Sequence, residues 1–262
     1  MKLTEASRVN SSMLGARTDI LARLRRVLDD TRQMFRGPED VRRPDVPMTV
    51  TRAEGDPLAL AKVFGKNLEA VSGSHEIVAD SSNVAARVLE RIRLWEAESD
   101  QPQDSNRSKS REILSWHPDE LPLQGIGQFL TEAGIELFVP NDLHDDVDRQ
   151  RAGRTAIGLT GVDAAFAGTG SVVLAPSKGR SRAASLLPYR HIALVPMSTI
   201  YPTVEAWLAA LRRQERLGDF VRDSAQLAFI TGPSKSADIE LNLTLGVHGP
   251  KQIHAIVFDD RK

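Results

Sequence analysis

The sequence predicts an α/β fold built on a mainly parallel β-sheet, and three observations predict it. From residue 57 to residue 140, segments with the 3.6-residue period of helices alternate with short apolar runs, the rhythm of βα units. In the second half, AIGLTG, SVVLAP, HIALVP, LAFITG and QIHAIVFDD are five apolar runs bounded by glycine or proline, which read as strands. The near-continuous apolar character of HIALVP and LAFITG is that of strands buried on both faces.

In chain order, Ile20, Leu21, Leu24, Val27, Leu28 and Met34 recur at helical spacing between arginines at 17, 23, 25, 26 and 32, predicting an amphipathic helix over 18–35. Gly37, Pro38, Pro44 and Pro47 then break regular structure, so residues 1–50 are expected to form an N-terminal helical arm and 51–262 the α/β domain. The arm is either a docking surface for a partner chain or a helix packed on its own domain. A helix near 57–71, a strand in HEIVAD and a helix SSNVAARVLERIRLWEAES capped by Ser81 or Ser82 follow. ESDQPQDSNRSKSR at 98–111 holds no large apolar residue and is expected to be a mobile loop. REILSW reads as a strand, 121–133 as a helix stopped by Gly134, and IELFVP as a strand. NDLHDDVDRQRAG reads as a helix start whose aspartates complement the helix dipole. TVEAWLAALRRQ at 203–214 is the clear helix of the second half. Apolar residues alternate with polar ones from Ile239 to Val247, so this run is expected to turn through HGPK and pair with QIHAIVF. Ser236 is placed to cap a brief helical turn, with Asp238 near its positive end.

Composition narrows the function. With 34 Lys+Arg against 35 Asp+Glu, the net charge of -1 gives no global pull on nucleic acid or an anionic membrane. The absence of cysteine excludes disulfides, a thiol nucleophile, cysteine-ligated zinc and an iron–sulfur cluster held by this chain alone. No window approaches the ~18 apolar residues of a membrane helix, and a cytoplasmic location is expected. The histidines form no metal-binding spacing, and the aspartates at 142, 145, 146 and 148 around His144 lack the glycine and terminal glutamate of a calcium loop. P-loop, nucleophile-elbow and dinucleotide-binding glycine patterns are absent in the contexts they require.

Three stretches offer ligand sites. In GVDAAFAGTGSVVL, the small residues Gly161, Ala164, Ala165, Ala167, Gly168 and Gly170 allow close approach of either a ligand or another backbone, while Asp163 and Thr169 supply polar groups. In SKGRSRAASLLP, Lys178, Arg180 and Arg182 surround Gly179 ahead of a short helix, an arrangement suited equally to a bound anion or a solvated turn. TGPSKSADIELNLTLGVHGP, at 231–250, places Thr231, Gly232, Ser234, Asp238, Glu240 and His248 in and beside two turns.

TGVDAAFAGTGSVVL, SLLPYRHIALVPMSTIYPTVEAWL and ITGPSKSADIELNLTLGVHGPKQIHAIVFD together resemble the LUD-domain family, strongly over 156–259 and more weakly over 76–140. The resemblance implies a three-layer sheet like that of the ribose-phosphate isomerase, glucosamine-phosphate deaminase and CoA-transferase group. It further implies a part in oxidising L-lactate to pyruvate beside two cysteine-rich iron–sulfur partners, so no cofactor is expected on this chain alone. The family motif usually reads Glu-Thr-Gly where this chain has Gly168-Thr169-Gly170. In fold relatives that transfer CoA a glutamate near such a turn is the nucleophile, and glycine has no side chain to attack with, so that chemistry is not expected here. Asp163 and Glu240 are the carboxylates left at motif positions. The site is expected where 161–170, 178–182 and 231–250 converge. There Lys178, Arg180 or Arg182 would pair the carboxylate of a small anion such as lactate, and His248, exposed between glycines, would accept the hydroxyl proton, with His191 the other candidate. His191 opens an apolar strand and is expected in the core. The alternatives are an assembly or binding module without chemistry, or an enzyme on a sugar phosphate, folate or acyl-CoA.

Overall fold

The computed structural model describes residues 18–26, 55–98, 111–224, 226–237, 243–246 and 248–261. The chain divides into two units, Met1–Met48 and Thr49–Lys262. In the first, residues 18–26 form a helix, α1, within the expected arm; residues 27–35, where the sequence also predicts helix, lie outside the described residues, as does most of the loop expected at 98–111.

The second unit begins with α2 (Pro57–Ala70), β1 (Ser74–Val78), α3 (Val84–Glu98), β2 (Glu112–Ser115), α4 (Ile126–Glu132) and β3 (Glu136–Phe138). It continues through α5 (Asp146–Arg154), β4 (Ile157–Thr160), β5 (Ala164–Phe166), β6 (Ser171–Leu174), α6 (Ala183–Leu186) and β7 (Arg190–Pro196). The last elements are β8 (Ile200–Tyr201), α7 (Val204–Arg213), α8 (Leu217–Asp223), β9 (Ala228–Ile230), β10 (Lys235–Ala237), β11 (Leu243–Leu245) and β12 (Gln252–Phe258).

Side chains start these helices. The carboxylate of Asp56 accepts the N–H of Ala59 at 2.8 Å ahead of Pro57 at the first turn of α2. Asp145 accepts from Asp148 at 3.1 Å before α5, and Thr203 from Ala206 at 3.3 Å before α7. The expected cap of α3 is corrected: Asp80, which accepts the N–H of Ser82 at 2.9 Å, starts a 3-10 turn over Ser81–Asn83 that leads into it.

Six strands form one parallel sheet in the order β1-β12-β7-β4-β2-β3, confirming the mainly parallel α/β class. Every residue of β7 and all of β12 except Gln252 is buried, as a sheet covered on both faces requires. Strand alternation assigns the layers. His254 pairs with Ser74, so His75 points the opposite way. A Cβ on Gly65 of α2 would meet the His75 ring, whereas Trp95 of α3 packs edge-on against His254 at 6.3 Å between centroids. Thus α2 and α3 cover opposite faces. The carbonyl oxygen of Ala184 lies 1.8 Å from where a Cβ on Gly158 would sit, which puts α6 on the α2 face.

A second sheet, in the order β8-β5-β6-β9, carries a smaller core in which Phe166 packs against Trp207 at 5.8 Å. Two strand expectations are corrected here. LAFITG supplies β9, a three-residue edge strand with Phe229 51% exposed, because its apolar side chain stacks on Phe166 at 6.1 Å instead of entering a sheet centre. QIHAIVF is β12, held between β1 and β7; the hairpin partner of β11 is β10, which also replaces the helical turn expected at Ser236.

Candidate functional site

β2 and β4 are neighbours in the sheet whose onward connections diverge. β2 continues through α4, on the α3 side, to the edge strand β3, whereas β4 continues through β5, β6 and α6, on the α2 side, to β7. Where connections part in this way, the carboxyl ends of parallel strands open a crevice, the usual ligand position in open α/β sheets.

Trp116 stands at that point. Its backbone N–H donates to the carbonyl of Leu159 at 3.2 Å, extending the β2–β4 pairing by one residue, and it is 1% exposed. The next N–H, of His117, donates to the carbonyl of Gly179 at 2.7 Å and ties the basic loop across the strand ends. The Arg180 guanidinium lies 4.2 Å from the Trp116 ring centroid, a cation–π stack that fixes its plane. Its Nη2 donates to Oδ2 of Asp163 at 2.6 Å, and the same oxygen accepts the N–H of Ala175 at 2.6 Å. The pair is largely sheltered, with Arg180 19% and Asp163 12% exposed at the side chain. Gly161 permits the packing, since a Cβ there would approach Pro122 at 2.8 Å and the Trp116 ring at 3.3 Å.

Two donors in this cluster are unused. Nε of Arg180 and Nε1 of Trp116 are buried without a hydrogen-bond partner among the described residues. A buried donor left unmet costs about 1–3 kcal/mol, a cost that an acceptor reaching it would recover. Below them on the same face, Oγ1 of Thr160 and Nε2 of His191 lie 2.9 Å apart. His191 is fully buried, and burial pushes its pKa down to about 4, which keeps the ring neutral near pH 7.

The other residues singled out by sequence fall elsewhere. Thr169, Ser171 and Thr231 form a hydroxyl chain with oxygen separations of 2.8 and 2.7 Å. Gly168 donates its N–H to Pro202 at 3.0 Å. Gly170 and Gly232, at φ +66 and +78, press on the C-terminal end of α2: a Cβ would lie 2.2 Å from the Leu68 nitrogen in one case and 2.7 Å from the Val71 carbonyl oxygen in the other. Lys178 is exposed, and Arg182, also exposed, donates to Gln226 at 2.9 Å. His248 is exposed, with its backbone N–H 3.4 Å from Oγ of Ser234. Asp238 and Glu240 lie outside the described residues.

Sequence reasoning missed Trp116, although a tryptophan directly after a strand of a parallel sheet is a usable signal. It also missed a network at the opposite, amino end of the sheet. There His254 lies between Oγ of Ser74 at 2.8 Å and Oε1 of Glu76 at 3.1 Å, with Arg87 on the other Glu76 oxygen. Burial raises the Glu76 pKa, but hydrogen bonds from His254 and Arg87 outweigh it and hold the carboxyl below its usual range. Burial likewise lowers the His254 pKa, against the pull of Glu76. This network pins edge strand β1 to β12. No group of three or more His, Asp or Glu among the described residues is placed to hold a metal ion. Nor is any described helix long and apolar enough to cross a membrane.

The family model of the LUD domain matches residues 61–258. Lactate utilization protein C of Halalkalibacterium halodurans is 35% identical over 154 residues, which cover 58% of this chain and 64% of that one. Lactate utilization protein C of Bacillus licheniformis is 42% identical over 147 residues, covering 55% of this chain and 60% of that one. The matched segment thus spans less than two thirds of either relative. Among solved structures, a DUF162 family protein from Deinococcus radiodurans superposes with a TM-score of 0.52 at 17% identity, over 78% of this chain and 99% of that one, a likeness of fold.

Proposed function

The chain belongs to the LUD-domain family, and from that premise we propose that it serves lactate utilisation in the cytoplasm as a cysteine-free component that binds a small carboxylate anion. Two cysteine-rich iron–sulfur proteins act with it and carry the electrons as L-lactate becomes pyruvate. The names of its relatives support the pathway, and a chain without a thiolate has no ligand of the usual kind for a cluster of its own. One observation carries the anion site: Arg180 is stacked on Trp116 at 4.2 Å and held by Asp163 at 2.6 Å, yet keeps a buried Nε–H without a partner among the described residues. A guanidinium so fixed presents its donor in a set direction, which suits a carboxylate oxygen.

A binding role without chemistry is the second reading, and the state of the candidate bases favours it. Asp163 is already paired with Arg180, His191 is sealed and neutral, and the His248 ring makes no hydrogen bond with a described residue. In either case, deleting this chain is expected to abolish growth on L-lactate, and tagged protein is expected to co-purify with cysteine-rich partners. Wild type restores growth, whereas Arg180→Gln, present at equal soluble level, does not. Normal growth of the deletion strain on L-lactate would sink the proposal.

A further inference from the structure

We infer that the Asp163–Arg180 pair selects a short 2-hydroxy monocarboxylate over the corresponding 2-oxo acid, with Asp163 as the discriminating residue. The inference rests on the anion site proposed above and assigns its specificity.

The hydrogen-bonding inventory of the pair is asymmetric. On Arg180, Nη2 is committed to Asp163 while Nε–H is buried and unmet among the described residues. The indole N–H of Trp116, on the same stack, is a second unmet donor. Neither group can accept a hydrogen bond, so both favour the oxygens of a carboxylate. On Asp163 the situation is reversed. Oδ2 accepts from both Arg180 and Ala175, at 2.6 Å each, and Oδ1 has no hydrogen-bond partner among the described residues. A carboxylate beside an arginine only accepts, so Oδ1 asks its neighbour for a donor.

A 2-hydroxy acid answers both demands. Its carboxylate takes the Arg180 donor, and the hydroxyl one carbon away donates to Oδ1 of Asp163, which is tied to that same guanidinium. A 2-oxo acid presents only lone pairs at C2. Its carbonyl oxygen facing Oδ1 leaves two acceptors opposed, and a site built to receive a hydroxyl proton penalises the analogue that lacks it. A simple alkanoate neither donates nor opposes and falls between. Pro122 and Trp116 crowd Gly161, and Arg180 and Asp163 are 19% and 12% exposed at the side chain, so a short acid meets fewer clashes here than a long one.

Isothermal titration of the full chain with L-lactate, glycolate, pyruvate, glyoxylate and propionate tests this without any substitution. The hydroxy acids are expected to bind about tenfold tighter than their oxo counterparts, the equivalent of one hydrogen bond, with propionate between. Asp163→Asn, checked for an unchanged far-UV spectrum, is expected to erase the difference chiefly by improving pyruvate, because an amide donates as well as accepts. Equal affinity of the wild type for lactate and pyruvate overturns the discrimination and leaves the anion site standing. Failure of all five acids to bind overturns the anion site itself, and the discrimination with it.

Discussion

Gly170→Ala is expected to lose about 3 kcal/mol or more of folding stability, because two costs coincide at one position. The backbone sits at φ +66, where a side chain is strained by about 1–3 kcal/mol. The new methyl would also lie 2.2 Å from the nitrogen of Leu68 and 2.7 Å from its Cα, backbone atoms of α2 that cannot rotate away. Asn67 adds to the rigidity of this contact by donating its side-chain N–H to the carbonyl of Ala167 at 2.7 Å. Relief therefore requires moving the β5–β6 turn off the helix, and overpacking of this kind typically costs about 1–3 kcal/mol more. Urea unfolding of wild type and variant measures the difference. A variant as stable as wild type but impaired in ligand binding would return Gly170 to the site, where its sequence context had also allowed it.

The second large effect is on pH. His191 has a folded pKa of about 4 against 6.5 for the free side chain, because burial disfavours its charged form. A depressed histidine pKa means that the unfolded chain binds the extra proton first. Stability conferred by the neutral ring is therefore complete above about pH 6.5 and is lost as pH falls toward 4. The difference of 6.5 minus about 4, at 1.36 kcal/mol per unit, gives a loss of about 3 kcal/mol across that window. His254, lowered by burial, acts in the same direction, whereas Glu76 contributes stability that is lost only as pH falls below its unfolded value. His191→Gln retains a side chain able to hydrogen-bond Thr160 but does not titrate. Its stability is expected to fall less steeply between pH 6.5 and 4 than that of wild type. Parallel curves for the two proteins would show that His191 does not titrate across this window as described.

The parallel sheet was legible because strands buried on both faces carry a local signature: HIALVP reads as apolar throughout, and as β7 it is buried throughout. The same signature misled at LAFITG, where Phe229 satisfies its apolar surface by stacking on one aromatic ring at the edge of the second sheet. Apolar content reports that a side chain finds a partner, and not whether that partner lies in a sheet centre. The position of QIHAIVF was illegible for a different reason. Its period gives a strand, but its neighbours are β1, about 180 positions earlier in the chain, and β7, about 60 earlier, and no local pattern specifies pairing at such range.

The candidate site divides in the same way. Asp163 and Arg180 were both legible from their small-residue and basic surroundings, because chemistry-bearing residues in glycine-containing loops stand out by composition. Their mutual pairing, and the Trp116 face on which Arg180 rests, depend on β2 and β4 being neighbours with diverging connections, a property of the whole topology. The hydroxyl chain from Thr169 to Thr231 joins positions about sixty residues apart and is equally a product of the fold. Gly170 and Gly232 illustrate the converse, since small residues that suit the approach of a ligand suit the approach of a helix end as well.

The most direct measurement is a crystal structure of the full chain with L-lactate bound at saturating concentration. The lactate carboxylate is expected on Nε of Arg180, against the Trp116 stack, with the hydroxyl toward Oδ1 of Asp163. Lactate seated elsewhere, for instance on the Thr169–Ser171–Thr231 hydroxyls with the Asp163–Arg180 pair untouched, would contradict it.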